Sequence, residues 1–326
     1  MIRVVEAGSL CTVQDAGRPG WQHLGVAVGG AADPLSHALA NLLVGNPPGA
    51  AALEFTLRGP TLVFAEPCRV ALCGAPFPVD LEGRAWPRWS PNIVTAGERL
   101  RIGETPRGLR GYLAVAGGIQ VAEVLGSRST DLRGGFGGFN GRPLRAGDEL
   151  QVLAGVEVPD RGPGWRLPWN DPLPQGPAER PLRLIPGPHW ELLAADTQER
   201  LLAGTFTVDA RSDRMGLRLS GPPIQLAEPL EALSAGVATG TLQLPPEGGP
   251  ILLLADRQTT GGYPRLGELA SVDLPWAAQL RPGDPLRFCL CTVAEAQAAW
   301  LAQQRRLTFL QELLSRERGV PERMGP

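Results

Sequence analysis

Short apolar stretches recur along the whole chain, and each is bounded by glycine, proline or aspartate. The clearest are RVVEAG, PTLVF, RVALCG, GYLAVAG, DELQVL, RLIPG, ILLLA and LRFCLC. β-Branched and aliphatic residues suit a pleated, partly buried surface, and the residues that bound them favour turns. Glycine and proline number 42 and 33, so the chain cannot be mostly helical. The pattern predicts an all-β fold of many short strands with a few helices.

Two segments show the helical spacing of apolar residues instead. Asp33 and Pro34 precede the segment LSHALANLLVGN as an N-cap and as the first helical residue. Asn46 and Pro47 then provide a stop, so that a helix is predicted over 34–46. The tail VAEAQAAWLAQQRRLTFLQELLSRERG has an apolar stripe, arginines in its last turn and a closing glycine. It is predicted to be a C-terminal helix that packs on the second half of the chain or on a partner.

The two halves of the chain repeat the same phrases in the same order. The first half contains RPG, TLRGPTLVF, YLAVAGG and PLRAGDELQVL, and the second contains RMG, RLSGPPIQL, ILLLADRQTTGG and QLRPGDPLRFCL. A turn followed by Gly-Asp and a strand can recur by chance in a β protein. The occurrence of all the phrases in the same order in both halves favours a duplicated barrel instead. A stretch crowded with proline and glycine separates the halves, as is typical of a linker. The predicted regions are a first β-barrel over 1–155, a linker over 156–181, a second β-barrel over 182–292 and a helical tail over 293–326.

Composition restricts the chemistry and the partners. All 31 basic residues are arginine, because the sequence has no lysine, which excludes a P-loop lysine, a Schiff-base lysine and a lysine that carries biotin. A net charge of -2 gives no field that would attract nucleic acid or an anionic membrane. Five cysteines without a C-x-x-C pair and three scattered histidines predict neither a disulfide framework nor a metal site. With no signal-peptide pattern and no membrane-length apolar run, the protein is predicted to be cytoplasmic.

Four polar, glycine-rich segments are candidates for a ligand site, and two of them lie in the first half. TVQDAGRPGWQHLGV presents an amide, a carboxylate and a guanidinium directly after a strand. GSRSTDLRGGFGGFNGR offers hydroxyls, arginines and glycines that let backbone amides approach an anion. The structural alternatives are an Asp-Arg pair that fixes the first loop and a mobile hairpin in the second. The candidate residues are Gln14, Asp15, Arg18, Arg128 and Ser129.

The other two segments lie in the second half. VDARSDRMGLRL holds arginines and aspartates that, taken alone, are more typical of a structural network. In LLLADRQTTGGYPRLGEL an apolar strand leads into five consecutive polar residues, which are costly to bury without partners and should line a cleft. The alternative is a solvated turn. The candidate residues here are Arg214, Asp256, Arg257, Gln258, Thr259 and Tyr263.

Taken in order, these motifs resemble the biotin-dependent carboxyltransferase subunit family. They are G-x-x-x-T-V-Q-D-x-G-R-x-G, G-A-A-D-P-x-S, Y-L-A-V-A-G-G-I, L-G-S-R-S-T-D, S-D-R-M-G-x-R-L-x-G-P and A-D-R-Q-T-T-G-G-Y-P, and the match runs from about residue 8 to about residue 290. The family includes the C subunit of 5-oxoprolinase, an antagonist of a sporulation-kinase inhibitor, and an allophanate-hydrolase-like (subunit 2) part of urea carboxylase.

The resemblance implies two cyclophilin-like β-barrels and the role of the C subunit in an enzyme that hydrolyses 5-oxoproline to L-glutamate with ATP. Its implied partners in a hetero-oligomer are an amidohydrolase-like A subunit together with a homologue of the B subunit. ATP would be bound with or by a partner. Two alternatives stay open: a carboxyltransferase component of a urea or amide carboxylase, with biotin on another chain, and a regulatory antagonist that binds a kinase-inhibitor partner.

Side-chain chemistry suggests roles for the candidate residues in such an enzyme. Asp15 and Asp256 are the predicted catalytic residues, acting as acid or base, and the other candidates are predicted to bind substrate. An arginine, Arg257 or Arg128, would hold the 5-oxoproline carboxylate. A glutamine, Gln258 or Gln14, would recognise the lactam. No residue is assigned to a cofactor or a metal.

Overall fold

A computed structural model describes residues 1–84, 86–153, 180–228, 230 and 232–317. The chain folds into two compact units. Unit one comprises Met1–Gly17, Asp33–Asn170 and Ala302–Pro326, and unit two comprises Arg18–Ala32 and Asp171–Leu301. Residues 18–32 thus belong with the second half of the chain. Most of the predicted linker, 156–181, lies outside the described residues, so the predicted domain boundaries stay a prediction.

Unit one consists of two antiparallel sheets and a helix. Its strands are β1 (Ile2–Glu6), β2 (Leu10–Gln14), β3 (Ala52–Thr56), β4 (Thr61–Phe64), β5 (Cys68–Gly74), β6 (Val79–Leu81), β7 (Pro91–Val94), β8 (Arg99–Ile102), β9 (Arg110–Val115), β10 (Ile119–Gln120) and β11 (Glu149–Val152). One sheet has the order β10-β11-β1-β4-β8-β6 and the other the order β2-β3-β9-β5-β7. In the second sheet β2 pairs with β3. The candidate residues of the first polar segment lie at the end of β2 and directly after it.

Helix α1 (Pro34–Val44) covers one face of the second sheet, where it packs against β3, β5 and β9. Asp33 caps it by accepting the N–H of Ser36, and Pro34 occupies its first turn. The predicted helix is confirmed. It ends before the predicted stop because Gly45 adopts a left-handed conformation with φ of 92° and closes the helix.

Unit two contains an antiparallel sheet with one parallel pair. Its strands are β12 (Leu182–Pro186), β13 (Phe206–Val208), β14 (Gly216–Ser220), β15 (Ala235–Gly236), β16 (Thr241–Gln243), β17 (Ile251–Leu253), β18 (Thr260–Gly261), β19 (Arg265–Leu269), β20 (Pro285–Leu286) and β21 (Phe288–Leu290). The large sheet has the order β20-β13-β14-β17-β16-β19-β12-β21, and β15 pairs with β18. Its two end strands, β20 and β21, are separated in the chain by Arg287 alone, so the sheet curls into a nearly closed barrel. The prediction of an all-β barrel protein with few helices is confirmed.

Three helices accompany this sheet: α2 (Ala195–Ala203), α3 (Leu274–Ala277) and α4 (Val293–Glu317). The predicted C-terminal helix is confirmed as α4. It was predicted to pack on the second half of the chain or on a partner, but only its residues up to Leu301 belong to unit two, and those from Ala302 onwards belong to unit one. Helix α2 was not predicted, because its sequence ADTQERLLA buries only Thr197 and Leu201 and has too few apolar positions for a period. In the described part of the chain, no helix combines the length and the apolar character needed to cross a membrane.

The R-x-G-D turns repeat the same bonding in both units. In each turn the aspartate carboxylate accepts the N–H of the turn's arginine, at 2.7 Å in unit one and 2.8 Å in unit two. In each turn the glycine has a positive φ, 92° and 90°, and donates its N–H at 2.8 Å to a carbonyl of the adjoining strand, β1 or β13. The residues are Gly147 and Asp148 in unit one, and Gly283 and Asp284 in unit two. This shared geometry supports a duplicated ancestral barrel.

Candidate functional site

A buried carboxylate organises the polar cluster of unit one. Asp15 directly follows β2 and is 8% exposed. Its Oδ1 accepts hydrogen bonds from Gly17 N at 2.8 Å, from Ser127 Oγ at 2.6 Å and from Ser129 Oγ at 2.5 Å. Its Oδ2 accepts one from Arg128 N at 2.5 Å. Because hydrogen bonds to a charged acceptor are short and strong, this carboxylate ties the second polar segment to the end of β2.

Gln14 and the Arg128 side chain complete this cluster. Gln14 is fully buried, and its Nε2 donates to Thr12 Oγ1 at 3.1 Å and to Thr130 O at 3.3 Å. Its Oε1 has no hydrogen-bond partner among the described residues. The Arg128 guanidinium is 40% exposed and pairs with Glu123 at 3.3 Å. Four predicted site residues are therefore brought together here, around a carboxylate saturated by donors.

Asp256 in unit two is held in a forked ion pair. Arg214 Nε donates to Asp256 Oδ2 at 2.7 Å, and Arg214 Nη2 donates to Asp256 Oδ1 at 2.9 Å. Arg214 Nη2 also reaches the Gly30 carbonyl at 2.6 Å, and Asp256 N returns a bond to Arg214 O at 2.9 Å. The two side chains are only 6% and 17% exposed. Both carboxylate oxygens are thus engaged, which is the geometry of a positioning pair.

Arg18 and Gly29 lie against this ion pair. Arg18 is fully buried, and a Cβ atom on Gly29 would lie 3.4 Å from Arg18 Nη1 and 3.8 Å from Asp256 Oδ1. Gly29 has a φ of 62°, which favours glycine. The backbone of the 18–32 segment therefore approaches two charged side chains closely. The predicted residues Arg18, Arg214 and Asp256 share one cluster, and the catalytic roles predicted for Asp15 and Asp256 stay predictions.

Arg257 has a different environment from its neighbour Asp256. It is 4% exposed, and its Nη2 donates to Gln22 Oε1 at 3.0 Å. Its Nε and Nη1 have no hydrogen-bond partner among the described residues, and these two nitrogens carry three of the five N–H groups of a guanidinium. Burial lowers the pKa of Arg257 from its usual value, and the Glu268 carboxylate opposes that shift. The site thus holds a buried cation with donors to spare.

Gln22 anchors the 18–32 segment beneath Arg257. Its Nε2 donates to the Val237 carbonyl at 3.0 Å and to the Thr259 carbonyl at 3.1 Å. The same side chain accepts from Arg257 through its oxygen, so all of its polar atoms are used. The contribution of the predicted residue Thr259 is therefore made by its backbone carbonyl.

Polar side chains from β16 and β19 border the same cluster. Gln258 Nε2 donates to Gln243 Oε1 at 3.3 Å, while Gln243 Nε2 is buried without a hydrogen-bond partner among the described residues. Thr241 Oγ1 lies 3.0 and 2.8 Å from the two carboxylate oxygens of Glu268. Burial raises the pKa of Glu268, and the Thr241 hydroxyl and the nearby arginines oppose that shift. Tyr263, by contrast, is 43% exposed.

Sequence reasoning missed three residues of the unit-two cluster: Gln22, Gln243 and Glu268. Gln22 lies in the first polar segment, TVQDAGRPGWQHLGV. Gln243 and Glu268 each interrupt a short apolar strand phrase, TLQL and LGEL. A single polar residue in a buried strand was the available signal, because such a residue requires a partner inside the protein.

Neither metal nor thiol chemistry is indicated among the described residues. They contain no group of three or more His, Cys, Asp or Glu side chains arranged to hold a metal ion. The five cysteines are unpaired, and four of them are buried. Burial raises the pKa of Cys11, Cys68 and Cys73. Buried thiols of this kind are poor nucleophiles.

Comparison with known proteins identifies the family. The carboxyltransferase domain, subdomain A and B, matches residues 24–290, so the chain belongs to this carboxyltransferase-domain family. The chain is similar to the C subunit of 5-oxoprolinase from Escherichia coli, with 38% identity over 94% of this chain and 96% of that protein. It is 34% identical to the corresponding C subunit of 5-oxoprolinase from Haemophilus influenzae over 91% of this chain and 93% of that protein.

A solved structure extends the comparison to a longer protein. The crystal structure of the K. lactis urea amidolyase is 29% identical to this chain, with a TM-score of 0.85 over 95% of the chain. The chain covers 20% of that protein, and across this and four other solved chains the covered share ranges from 20% to 56%. The same module therefore occurs both as a separate chain and as part of larger proteins.

Proposed function

We propose that this chain is the C subunit of an ATP-dependent 5-oxoprolinase, which opens 5-oxoproline to L-glutamate together with the A and B subunits. The observation that carries the proposal is Arg257, a buried guanidinium with two nitrogens lacking partners among the described residues. A buried cation in this state costs stability unless a ligand completes its bonding, and a carboxylate is the anion that a guanidinium fits. 5-Oxoproline carries one carboxylate next to a lactam.

The similarity to known proteins supports this ligand. The two 5-oxoprolinase C subunits correspond to this chain over nearly their whole length. Gln258 follows Arg257 in the chain and donates through Nε2 to Gln243 Oε1 at 3.3 Å, and Gln243 retains an unused donor among the described residues. In this proposal Arg257 binds the carboxylate, and the glutamines meet the lactam.

The proposed reaction breaks one amide bond. The ring C–N bond of 5-oxoproline opens, water supplies the hydroxyl that completes the new carboxyl group, and the nitrogen leaves as the amine of glutamate. ATP is the co-substrate of the assembled enzyme. Transfer of its terminal phosphoryl group to the lactam oxygen, with release of ADP, would lower the barrier to ring opening, and a second water would then release that group as phosphate. We assign no residue of this chain to ATP. Asp15 and Asp256 enter as positioning groups, because their carboxylate oxygens are already occupied by donors.

The test is reconstitution with the cognate A and B subunits, followed by assay of glutamate release with and without ATP. Arg257→Met should reduce kcat/KM about 10- to 100-fold, since a hydrogen bond to a charged group contributes about 1.5–3 kcal/mol. Its free energy of unfolding should be unchanged or raised, because replacing an incompletely bonded buried charge by an apolar side chain is often neutral or stabilising.

Arg287→Met is the matched control, because it makes the same change at an exposed position of unit two. Both its activity and its stability should match those of the wild type. The absence of glutamate from a complete mixture of folded subunits with ATP would overturn the proposed function. Full activity in Arg257→Met would show that Arg257 does not bind the substrate carboxylate.

A second candidate, a carboxyltransferase component of a urea or amide carboxylase, is favoured by the TM-score of 0.85 to the urea amidolyase. Biotin would have to arrive on another chain, because this one has no lysine to carry it. The discriminating assay offers carboxylated biotin on a carrier protein and measures carboxyl transfer to urea. Transfer to urea without glutamate formation from 5-oxoproline would select this candidate.

A further inference from the structure

Glu268 has fewer hydrogen-bond donors than three other carboxylates in the described part of the chain, Asp15, Asp256 and Asp273. Asp15 accepts four hydrogen bonds, Asp256 faces a guanidinium fork, and Asp273 is held by two arginines. Among the described residues, Glu268 has the hydroxyl of Thr241 as its hydrogen-bond partner. A hydroxyl carries one hydrogen, so it can serve one carboxylate oxygen at a time. Glu268 is therefore the least stabilised of these groups in its charged form.

The strand β16 connects Glu268 to the Arg257 environment. Thr241 and Gln243 are two residues apart on β16, so their side chains lie on the same face. Thr241 contacts Glu268, and Gln243 contacts Gln258, which adjoins Arg257 in the chain. The charges of Arg257 and Glu268 act on each other, since each shifts the pKa of the other towards the charged form.

The groups around Glu268 come from five parts of the chain. Across the sheet it pairs with Thr241 of β16 on one side and with Ile185 of β12, which has no charge, on the other. Arg265 lies on the same strand, and the loop after β17 supplies Arg257. In the segment after β12, His189 Nδ1 accepts the backbone N–H of Arg265 at 2.9 Å. Burial outweighs the Thr241 hydroxyl and the two arginines, and it raises the pKa of Glu268 above its usual value.

We propose that Glu268 takes up one proton when a carboxylate binds at Arg257, so that the occupied site holds a neutral carboxylic acid. The identity of the carboxylate rests on the proposed function. A bound carboxylate neutralises the cation that favours ionised Glu268 and adds a second negative charge, and two like charges in one site disfavour double ionisation. The proton comes from solvent, and no covalent bond changes.

The Thr241 hydroxyl suits both protonation states of Glu268. It donates to the ionised carboxylate, and its oxygen can accept from the acid O–H once the proton has arrived. That oxygen already accepts the N–H of Ala238 at 3.0 Å, and a hydroxyl oxygen has a second lone pair. Proton uptake therefore requires a rotation of one hydroxyl and no movement of the strands.

Calorimetric titration of the full chain with L-5-oxoproline tests the proposal, alone and with the A and B subunits, between pH 5 and pH 9. Repeating each titration in buffers of different ionisation enthalpy gives the number of protons bound per ligand. The wild type should take up close to one proton over part of this range, and its Kd should rise about tenfold per pH unit there. 2-Pyrrolidinone, which has the lactam but lacks the carboxylate, should bind without proton uptake.

Three variants complete the test. Glu268→Gln should bind 5-oxoproline with no proton uptake and a pH-independent Kd. Thr241→Val removes the hydroxyl that favours the charged form, and it should move the uptake to higher pH while keeping its size. Glu199→Gln, an exposed control on α2, should behave like the wild type.

The outcomes separate this inference from the proposed function. Binding without proton uptake in the wild type, or uptake that persists in Glu268→Gln, would overturn the assignment to Glu268 and leave the proposed function standing. If Glu268→Gln does not fold, an unshifted uptake in Thr241→Val would overturn it equally. A wild-type chain that binds no 5-oxoproline, with or without its partners, would overturn both.

Discussion

The substitution Asp15→Asn tests whether the Asp15 carboxylate positions a loop or takes part in the chemistry. The amide oxygen of asparagine can replace Oδ1, which accepts from Gly17, Ser127 and Ser129. Its NH2 group must then face the backbone N–H of Arg128, which now donates to Oδ2 at 2.5 Å. The loss of one hydrogen bond to a charged group costs about 1.5–3 kcal/mol, and the buried N–H left without an acceptor adds to it. We expect a total destabilisation of about 2–4 kcal/mol.

Asp15→Ala should cost more than about 4 kcal/mol, which is exceptional for a single substitution, because it removes the acceptor of all four hydrogen bonds. Asp131→Asn is the control in the same segment, since Asp131 accepts one exposed hydrogen bond from Gly134 N, and it should cost about 1 kcal/mol or less. Urea unfolding followed by circular dichroism measures all three variants. With a slope of about 2 kcal/mol per molar urea, Asp15→Asn should lower a midpoint by about 1–2 M.

If Asp15 only positions the loop, the activity of Asp15→Asn should fall only in proportion to the loss of folded protein. Reconstituted enzyme containing Asp15→Asn should recover activity at low temperature or with a stabilising osmolyte. If Asp15→Asn has a free energy of unfolding within about 0.5 kcal/mol of the wild type and yet releases no glutamate, the reasoning is refuted. Asp15 would then act on the substrate, as the sequence-based prediction has it.

Two further predictions concern stability. Asp256→Asn leaves the buried Arg214 guanidinium without its counter-charge but retains one hydrogen bond. It should lower the free energy of unfolding by about 2–3 kcal/mol in urea unfolding, which is less than the complete loss of a buried partner costs. An unchanged urea midpoint would contradict the positioning role. His37, on α1, is 2% exposed, and burial lowers its pKa. Because the unfolded chain then binds a proton that the folded chain does not, stability should fall as the pH drops below about 6.5. Urea midpoints from pH 5 to pH 8 should show this loss reduced in His37→Gln, and equal slopes in the two proteins would contradict it.

Local signals in the sequence were sufficient for most of the elements. Helix α1 was predictable because its cap, its first-turn proline and its apolar period lie within a few residues of one another. The strands were predictable because glycine, proline and aspartate bound short apolar runs. Helix α2 was not, since a short helix with few buried residues has almost no period to read. An element could be predicted when its cap, its bounding residues and its apolar period all lay within its own sequence.

The composition of the candidate site was predictable, but its bonding was not. Asp15 meets Ser129 across 114 positions of the chain, and Arg257 meets Gln22 across 235 positions. No period or spacing relates residues so far apart. As a result, adjacent residues of one polar segment, Asp256 and Arg257, could not be distinguished by sequence even though the fold gives them opposite environments.

The sequence by itself determined the all-β class, the repeated halves, the family motifs and the absence of lysine, which makes arginine the source of every charged donor for an anion. Only the tertiary structure decided which hydrogen-bond partners each arginine has. Arg214 is matched to Asp256, whereas Arg257 is buried with two nitrogens that lack a hydrogen-bond partner among the described residues. The physical reason is that a residue's type fixes the bonds it can make, while burial and the partners brought from distant strands fix the bonds it does make.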